Sequence, residues 1–354
     1  MKINEMLPIN KNQTVENQIA KNKVAENQAD AYKAAENQIE DKQLIDTQLS
    51  LDQAKIDQDQ SFKAWVSDKQ ARLESVLETN MPLDSISPMR LHEAMRYSVL
   101  GGGKRVRALL AYGAGEFCGA QLDKIDLPAA SVEIIHAFSL VHDDMPCMDD
   151  DELRRGKAST HKKYGDAMAM LVGDALQSLA FALICQDKQL NNATQKLQIL
   201  HILALASGSR GMAGGQAIDL DSIGIPLTRA ELEHMHIQKT GALIRAAALM
   251  GAYSADKPDD DKVKAVDHFA KSIGLAFQVV DDILDSKADT KTLGKTAGKD
   301  AYNNKSTYVT ILGLAAAQEL VEELHANAMA ALSFYGAEAD LLRQLANFVT
   351  QRSF

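Results

Sequence analysis

Five aspartates stand within nine residues of the stretch LVHDDMPCMDDDELRRGK, residues 140–157: Asp143, Asp144, Asp149, Asp150 and Asp151. The preceding run, SVEIIHAFSLV, is apolar and helical in pattern, so these carboxylates lie at the C-terminal end of a largely buried helix. The helix dipole is negative at that end, and close carboxylates raise each other's pKa. Because such crowding is costly unless cations neutralise it, the pattern predicts a cation-binding site. The alternative is a solvated acidic loop.

A second acidic group lies in FQVVDDILD, residues 277–285. Asp281 and Asp285 are four positions apart and therefore share one face of a helix. Two acidic helix ends in one bundle suggest the facing walls of a cavity. A set of carboxylates that outnumbers the His and Cys beside it suits a hard cation, and Mg²⁺ fits because it binds one or two carboxylates, keeps waters and shares phosphate oxygens of a substrate. The spacing of an EF-hand calcium loop is absent from the sequence.

The spacing within the first group requires a break in the helix. Asp143 and Asp149 are six positions apart, and a continuous helix would not turn both toward one ion. Pro146 lies between them, lacks a backbone N–H and clashes with the preceding turn. We therefore expect the helix to end near Pro146.

Basic residues accompany these acidic groups. In GGGKRVRALL, residues 101–110, three glycines precede Lys104, Arg105 and Arg107, and an apolar helix follows. Glycines allow close backbone approach and a helix N-terminus attracts phosphate, although the Walker A pattern is absent. Each basic residue alone is more often a surface residue, but the set, together with Mg²⁺, would clamp two polyphosphate groups. The other candidates are Arg154, Arg155, Lys239 beside Thr240, Lys295 and Lys305.

The elements that must position these groups form one large helical region. From Phe62 onward the chain of 354 residues is rich in Ala and Leu at helical spacing, without the alternating runs of a sheet. Glycine and proline breaks, Pro128 among them, mark out about ten helices. We predict that residues 61–354 form a single all-α bundle of about ten helices around a central apolar cavity.

Residues 1–60 have a different pattern. Gln or Lys recurs at every fifth position from Gln13 to Gln58, and ENQ occurs three times at intervals of ten. A five-residue step advances about 140° around a helix, so it builds neither an amphipathic stripe nor a strand. We interpret this segment as a low-complexity tail, disordered or a frayed single helix. A partner-binding coiled segment is the alternative.

Composition restricts the possible partners. The content of 46% apolar and 24% charged residues is ordinary for a globular protein, and the net charge of −10 argues against a general nucleic-acid partner. Three separated cysteines indicate reduced thiols in a cytoplasmic protein. The N-terminus lacks the apolar run of a signal peptide, and we expect no membrane span.

The stretch from about Ser61 to Phe354 resembles the trans-isoprenyl diphosphate synthases, most closely the bacterial short-chain farnesyl diphosphate synthases. The motifs that carry the resemblance follow in the family's order: GGGKRVR, DDMPCMDDDELRRGK, GGQAIDL, KTGALI, FQVVDDILD and LGKTAGKD. The resemblance implies the all-α isoprenoid-synthase fold, a homodimer, and Mg²⁺-assisted condensation of allylic diphosphates (dimethylallyl and geranyl) with isopentenyl diphosphate. The repeat tail has no counterpart in the family pattern.

The resemblance also implies a role for each motif residue. The Mg²⁺ ligands would be Asp143, Asp149, Asp281 and Asp285, with Asp144 completing the acidic walls. The allylic diphosphate would be bound by Arg154, assisted by Lys239, Thr240, Gln278, Lys295 and Lys305. The isopentenyl diphosphate pocket would be formed by Lys104, Arg107, His136 and Arg155. The catalytic set would then be Asp143, Asp144, Asp149, Arg154, Lys239 and Asp281. Without the resemblance, His136 would be interpreted as a satisfied core histidine.

Product length is predicted to depend on Phe138. This residue precedes Asp143 by five positions, about 7.5 Å along a helix, and its ring could close the cavity floor; plain core packing is the alternative. In the family, an aromatic residue near this position and a proline-containing insertion accompany the C15 product, so the resemblance implies (2E,6E)-farnesyl diphosphate. The rivals are a geranylgeranyl diphosphate synthase, a non-catalytic regulatory subunit, and a metal-storage bundle, which would require Glu and ExxH pairs.

Overall fold

The computed structural model describes residues 15–16, 18–23, 57–287 and 306–351. The chain divides into two units, Met1–Ala64 and Trp65–Phe354. In the first unit, residues 15–16 and 18–23 are helical and exposed. The second unit carries the helices that form the core.

The fold is all-α, as predicted. In chain order the helices are α1 (57–80), α2 (Met89–Val99), α3 (Val106–Phe117), α4 (Leu122–Asp143), α5 (Thr160–Tyr164), α6 (Asp166–Gln186), α7 (Ala193–Ser207), α8 (Met212–Asp221), α9 (Arg229–His236), α10 (Ala242–Ala252), α11 (Asp260–Lys287), α12 (Tyr308–Leu312), α13 (Leu314–Ala331) and α14 (Asp340–Thr350). A π-helix (Ile237–Gly241) joins α9 to α10, and a 3₁₀-helix (Ala337–Ala339) precedes α14. The long helices correspond to the ten or so predicted, and short ones such as α5 and α12 add to them.

A small hairpin is the only β structure in the described residues. Strands β1 (Leu153–Arg154) and β2 (Lys157–Ala158) pair antiparallel, with Arg154 opposite Lys157. The turn between them contains Gly156, which has a φ of +75°. Glycine adopts this left-handed conformation without steric cost. The hairpin follows the first acidic stretch directly.

The core is built from pairs of long helices. Helix α4 packs against α6, α3 against α10, and α11 against α13. Helix α10, with the sequence ALIRAAALMGA, is apolar on nearly every side and is accordingly buried over most of its length. The basic start of α3 lies beside the middle of α4, because the N–H of Ala108 donates to Glu133.

Two proline positions in or near α4 behave differently. The helix ends at Asp143, three residues before Pro146, as the sequence predicts. Pro128, predicted as a break, lies inside the helix instead. It removes one backbone hydrogen bond in the second turn, and the buried residues 129–135 that follow hold the helix together by packing.

Helix α6 is apolar on more than one face. Among the described residues it is the one helix whose length and composition would allow it to cross a membrane, a test that core helices also pass. Its buried side, which includes Val172, Leu176 and Leu183, belongs to the core. Met170 and Leu171 on another side are 43% and 52% exposed. Met170 and Leu171 therefore form a short apolar stripe that faces outward from the single chain, and the exposed residues Asp174 and Gln177 continue the same side of the helix.

Candidate active site

A cavity of about 930 Å³ lies between the ends of α3, α4, α8 and α11 and the π-helix. It is lined by all the predicted site residues that the structure describes except Asp144: Lys104, Arg107, His136, Phe138, Asp143, Asp149, Arg154, Arg155, Lys239, Thr240, Gln278, Asp281 and Asp285. Lys295 and Lys305 lie outside the described residues. Residues separated by more than a hundred positions in the sequence thus meet in one space.

The acidic residues come from two helix ends, as the sequence predicts. Helix α4 ends at Asp143, and the chain then folds back so that the N–H of Asp149 donates to the carbonyl oxygen of Asp143 at 2.8 Å. This turn, made possible by the break before Pro146, brings both aspartates to the same wall. Asp281 and Asp285 lie one turn apart on α11 and line the same cavity.

The electrostatics of Asp143 show a shortage of positive charge. Burial raises its pKa to about 6; Lys239 opposes this rise, while Asp149 adds to it. A carboxylate that is taken out of water near another carboxylate favours its neutral form unless a cation is close. The chain's own cations therefore compensate only part of the charge at this wall.

The aspartates fit Mg²⁺ better than they fit a metal that needs a cage of protein ligands. Within the described ranges, no three His, Cys, Asp or Glu side chains are grouped so that they could hold an ion by themselves. Mg²⁺ does not require such a group, because it takes one or two carboxylates and completes its shell with waters and phosphate oxygens. An all-carboxylate cavity wall with an unneutralised Asp143 suits such a cation.

Asp144 does not face the cavity; it pairs with Arg154 instead. Its carboxylate is 2% exposed and accepts from the guanidinium of Arg154, with Nε at 3.0 Å from Oδ1. Asp151 lies 3.4 Å from the same guanidinium. Burial alone would lower the pKa of Arg154, but the hydrogen bond to Asp144 and the charges of Asp144, Asp151 and Asp143 together outweigh it and raise that pKa. Strand β1 thus presents Arg154 to the cavity with its orientation fixed from behind.

Lys239 and Thr240 project from a π-helix. This rare element inserts an extra residue into a helical turn and occurs often at functional sites. Lys239 Nζ donates to Asp219 of α8 at 2.7 Å, and Thr240 Oγ1 donates to Gln278 at 3.1 Å. Helix α8 can approach so closely because Gly215 has no Cβ; a Cβ there would lie 2.1 Å from the backbone nitrogen of Lys239. The irregular turn therefore aims both side chains into the cavity.

The predicted isopentenyl diphosphate residues form the basic side of the cavity. Lys104 is exposed and Arg107 is buried; burial lowers the pKa of Arg107. Burial, and after it the charge of Arg107, lowers the pKa of His136 well below its usual value, so that the imidazole is neutral at physiological pH. Arg155 donates to the carbonyl oxygen of Gly102 at 2.7 Å, which ties the hairpin to the glycine loop.

Phe138 and His142 form an apolar part of the wall on α4. Their rings meet edge to face with centroids 5.1 Å apart. The Nε2 of His142 donates to the carbonyl oxygen of Met170 on α6 at 3.1 Å. Phe138 is half-buried and lines the cavity. The ring of Phe138 thus lies in the cavity wall, a position that suits its predicted role in product length.

Comparison with known proteins decides the family. The profile of the family described as "Polyprenyl synthetase" matches residues 88–333. Farnesyl diphosphate synthase of Escherichia coli K12 is 46% identical over 265 residues, which is 74% of this chain and 89% of that protein. The large subunit 1 of a heterodimeric chloroplastic geranylgeranyl pyrophosphate synthase of Arabidopsis thaliana is 41% identical over 298 residues, 82% of this chain and 79% of that protein. A geranyltransferase of Helicobacter pylori, solved with magnesium and isoprenyl diphosphate, has a TM-score of 0.72 at 32% identity and covers 81% of this chain and 96% of that chain.

The chain belongs to the Polyprenyl synthetase family. It is therefore an enzyme of prenyl transfer, and its fold is the all-α fold of the isoprenyl synthases.

Three buried acids support the site, and the sequence analysis did not assign a role to any of them. Asp219 holds Lys239, Asp282 accepts from Gln278 and from the N–H of Tyr308, and Glu133 accepts from the N–H of Ala108. Asp219 and Asp282 lie within the motifs GGQAIDL and FQVVDDILD, so their position in these motifs could have identified them as site residues. Glu133 had a different signal, a charged residue within the apolar run SVEIIHAFSLV.

The pair Asp144–Arg154 generates a prediction on stability. Asp144→Ala leaves the half-buried guanidinium of Arg154 without its main acceptor, so we expect the free energy of unfolding to fall by about 2 kcal/mol. Glu152→Ala is the matched control, because this exposed carboxylate pairs only with Lys162 in the described chain and should cost less than about 0.5 kcal/mol. Chemical denaturation followed by circular dichroism measures both. Equal losses in the two variants would contradict the assignment of Asp144 as the anchor of Arg154.

Proposed function

We propose that this polyprenyl synthetase condenses dimethylallyl diphosphate, and then geranyl diphosphate, head-to-tail with isopentenyl diphosphate to give (2E,6E)-farnesyl diphosphate. The observation that supports it most is the arrangement of one cavity with acidic helix ends, two sets of basic residues and an aromatic side chain on its wall. Acidic and basic residues in one space suit two diphosphates and divalent cations, and the apolar wall suits a prenyl chain. The farnesyl diphosphate synthase relative at 46% identity supports the C15 product.

We infer that Asp143, Asp149, Asp281 and Asp285 hold Mg²⁺ when the allylic substrate is bound. Bound Mg²⁺ supplies Lewis-acid stabilisation of the charge that develops on the departing diphosphate. The chain contributes two rigid acidic walls, because each wall lies at the end of a long helix of the core, α4 or α11.

The allylic diphosphate would be gripped by cations whose positions are fixed from behind. Arg154 is held by Asp144, and Lys239 by Asp219. Thr240 and Gln278 supply neutral hydrogen-bonding groups. The proposed set also includes Lys295 and Lys305, which lie outside the described residues. Because these groups are already oriented, they stabilise the leaving group without reorganising at the moment of ionisation.

Isopentenyl diphosphate would bind the basic side formed by Lys104, Arg107 and Arg155. His136, neutral because of burial, would donate a hydrogen bond rather than a charge. The alkene of this substrate then attacks the allylic cation, a C–C bond forms and a proton leaves. We assign the proton to the released diphosphate. Apolar side chains such as Phe138 keep water away from the cation.

A direct assay tests the proposed function. The purified chain, with Mg²⁺, dimethylallyl diphosphate and labelled isopentenyl diphosphate, should release diphosphate and yield labelled farnesol after phosphatase treatment. Excess EDTA should abolish turnover, and excess Mg²⁺ should restore it. Diphosphate release without a prenyl product, or the absence of any release, would argue against the proposal and would favour a non-catalytic subunit.

Product length provides a second test, on Phe138. Phe138→Ala removes the ring from the cavity wall and should shift the main product from C15 toward C20 or longer, because the growing chain gains space. Phe334→Ala is the control, since that ring is 96% exposed. Reversed-phase chromatography of the dephosphorylated products measures the ratio. An unchanged ratio in Phe138→Ala would remove this residue from length control.

Geranylgeranyl diphosphate is the second candidate product. It is favoured by the 41% identity to the Arabidopsis large subunit, a value close to that of the bacterial relative. The same chromatogram discriminates, because a wild-type product that is mainly C20 would replace farnesyl diphosphate in this proposal.

We also propose a cytoplasmic homodimer with a catalytic domain of residues 61–354 and a low-complexity tail of residues 1–60, most of which lies outside the described residues. The short exposed stripe of α6, Met170 and Leu171, favours a second copy of the chain as its partner, since burial stabilises exposed apolar side chains. The bacterial farnesyl diphosphate synthases among the relatives support the cytoplasmic compartment.

The dimer proposal predicts a change of mass. Wild-type protein should have twice the chain mass by light scattering, whereas Leu171→Glu should be monomeric because it places a charge in the apolar interface. Leu83→Glu is matched in exposure, 53% against 52%, and lies outside α6; it should remain dimeric. A monomeric wild type, or dissociation in both variants, would contradict the assignment of this stripe.

A further inference from the structure

The loop of residues 101–105 carries cations of the basic side, yet its own backbone is unfavourable. Gly101, Gly102 and Gly103 all have positive φ, and so does Arg105 at +50°. A non-glycine residue in this left-handed conformation costs roughly 1–2 kcal/mol. Lys104 and Arg107, which line the cavity, lie on either side of Arg105. Any rotation at Arg105 would therefore move both cations.

Arg105 itself does not line the cavity; its side chain fastens the loop to the core. It is 4% exposed and bonds to three groups: the carbonyl oxygen of Val99 at 2.6 Å, Glu74 at 2.7 Å and Glu133 at 3.4 Å. A guanidinium with several fixed acceptors has little freedom to turn. The strained backbone thus persists because the side chain is held in place.

Glu133 serves the loop and the helix that follows it. One carboxylate oxygen accepts from the N–H of Ala108 at 3.1 Å, and the other faces Arg105. Ala108 is in the first turn of α3, where N–H groups have no acceptor inside the helix. Since the N-cap residue, Arg105, makes no side-chain cap bond, Glu133 takes that function from α4. The start of α3, which carries Arg107, is fixed in this way.

Helix α1 holds the same loop from the other side. Gln70 Nε2 donates to the carbonyl oxygen of Lys104 at 3.0 Å, and Glu74, one turn later, binds Arg105. Residues 70 and 74 share a face of the helix because they are four apart. This helix precedes residue 88, where the match to the family profile begins. Neither side chain lines the cavity.

We propose that Gln70 and Glu74 of α1 are positioning residues of the isopentenyl diphosphate site. They fix the loop of residues 101–105 so that Lys104 and Arg107 are already oriented when the diphosphate arrives. The inference rests on the proposed function, because it assumes that these two cations bind isopentenyl diphosphate. Loosening the loop lowers the affinity for this substrate alone, since Arg154 and Lys239 are held by other residues.

The experiment compares Michaelis constants for the two substrates in variants of α1. Glu74→Ala should raise KM for isopentenyl diphosphate about five-fold, the loss expected for one ordinary hydrogen bond, because Arg105 keeps Val99 and Glu133 as acceptors. The kcat and the KM for geranyl diphosphate should change less than about two-fold. Glu74→Gln keeps an acceptor for Arg105 and should recover part of the affinity. Adding Gln70→Ala to Glu74→Ala should raise the KM further.

Glu78→Ala is the matched control. Glu78 lies one turn beyond Glu74 on the same helix and pairs with another arginine, Arg96, without touching the loop. It should leave both Michaelis constants unchanged, even if the thermal midpoint falls as much as in Glu74→Ala. A rise of the isopentenyl diphosphate KM in Glu78→Ala equal to that in Glu74→Ala would overturn the proposal, because a loosened helix would then explain both. An unchanged KM in Glu74→Ala would overturn it as well.

A binding measurement separates this inference from the proposed function. If the wild-type chain shows no condensation, the proposed function fails, and calorimetric titration with inorganic pyrophosphate in EDTA still tests the loop. Without divalent cations, the basic side is the part of the cavity that suits this anion. Weaker binding in Glu74→Ala than in Glu78→Ala supports the positioning role; equal binding in the two variants rejects it.

Discussion

The structure depends on holding carboxylates together at the ends of two buried helices. The ends of α4 and α11 add negative dipoles to negative side chains, in a cavity where burial already raises the pKa of Asp143. Acids that do not belong to this wall are paired inside the protein: Asp144 with Arg154, Asp219 with Lys239 and Glu133 with Arg105. At the cavity wall, the raised pKa of Asp143 indicates that the cations of the chain compensate only part of the negative charge.

Irregular backbone occurs where the basic residues must be aimed. In the described part of the chain, the non-glycine residues with positive φ are Arg105, Asp150 and Arg155, and all three lie in the segments beside the cavity. The π-helix that carries Lys239 is a further irregularity. Regular helices would space these side chains evenly, whereas two diphosphates require several cations pointing to common centres. At Arg105 the strain is held by Glu74 and Glu133 on neighbouring helices, so these acids serve another side chain of the protein.

The sequence predicted the all-α fold, the end of α4 and the meeting of distant motifs, because each leaves a local signal. Helical spacing indicates helices, Pro146 breaks one of them, and aspartates at two apolar ends predict a shared site. Contacts between elements left no such signal. Asp144 has the same surroundings in the sequence as Asp143, and only the hairpin that carries Arg154 separates their positions. Pro128 was wrongly taken as a break, because the packing of residues 129–135 outweighs the missing hydrogen bond. The support of Lys104 and Arg105 by Gln70 and Glu74 spans more than thirty residues and follows from tertiary structure alone.

One helix, α4, carries both the acidic rim of the cavity at Asp143 and the apolar wall at Phe138. Asp143 at the rim and Phe138 in the wall are both on α4, so the helical rise, about 7.5 Å for five residues, fixes their separation along the axis. A change at the wall can then alter the room for the prenyl chain without disturbing the acidic rim. Relatives named for farnesyl and for geranylgeranyl products match this chain at similar identity, 46% and 41%. Overall similarity therefore carries little information on product length, and the proposal of a C15 product rests instead on the side chains of the wall around Phe138, including the edge-to-face ring of His142.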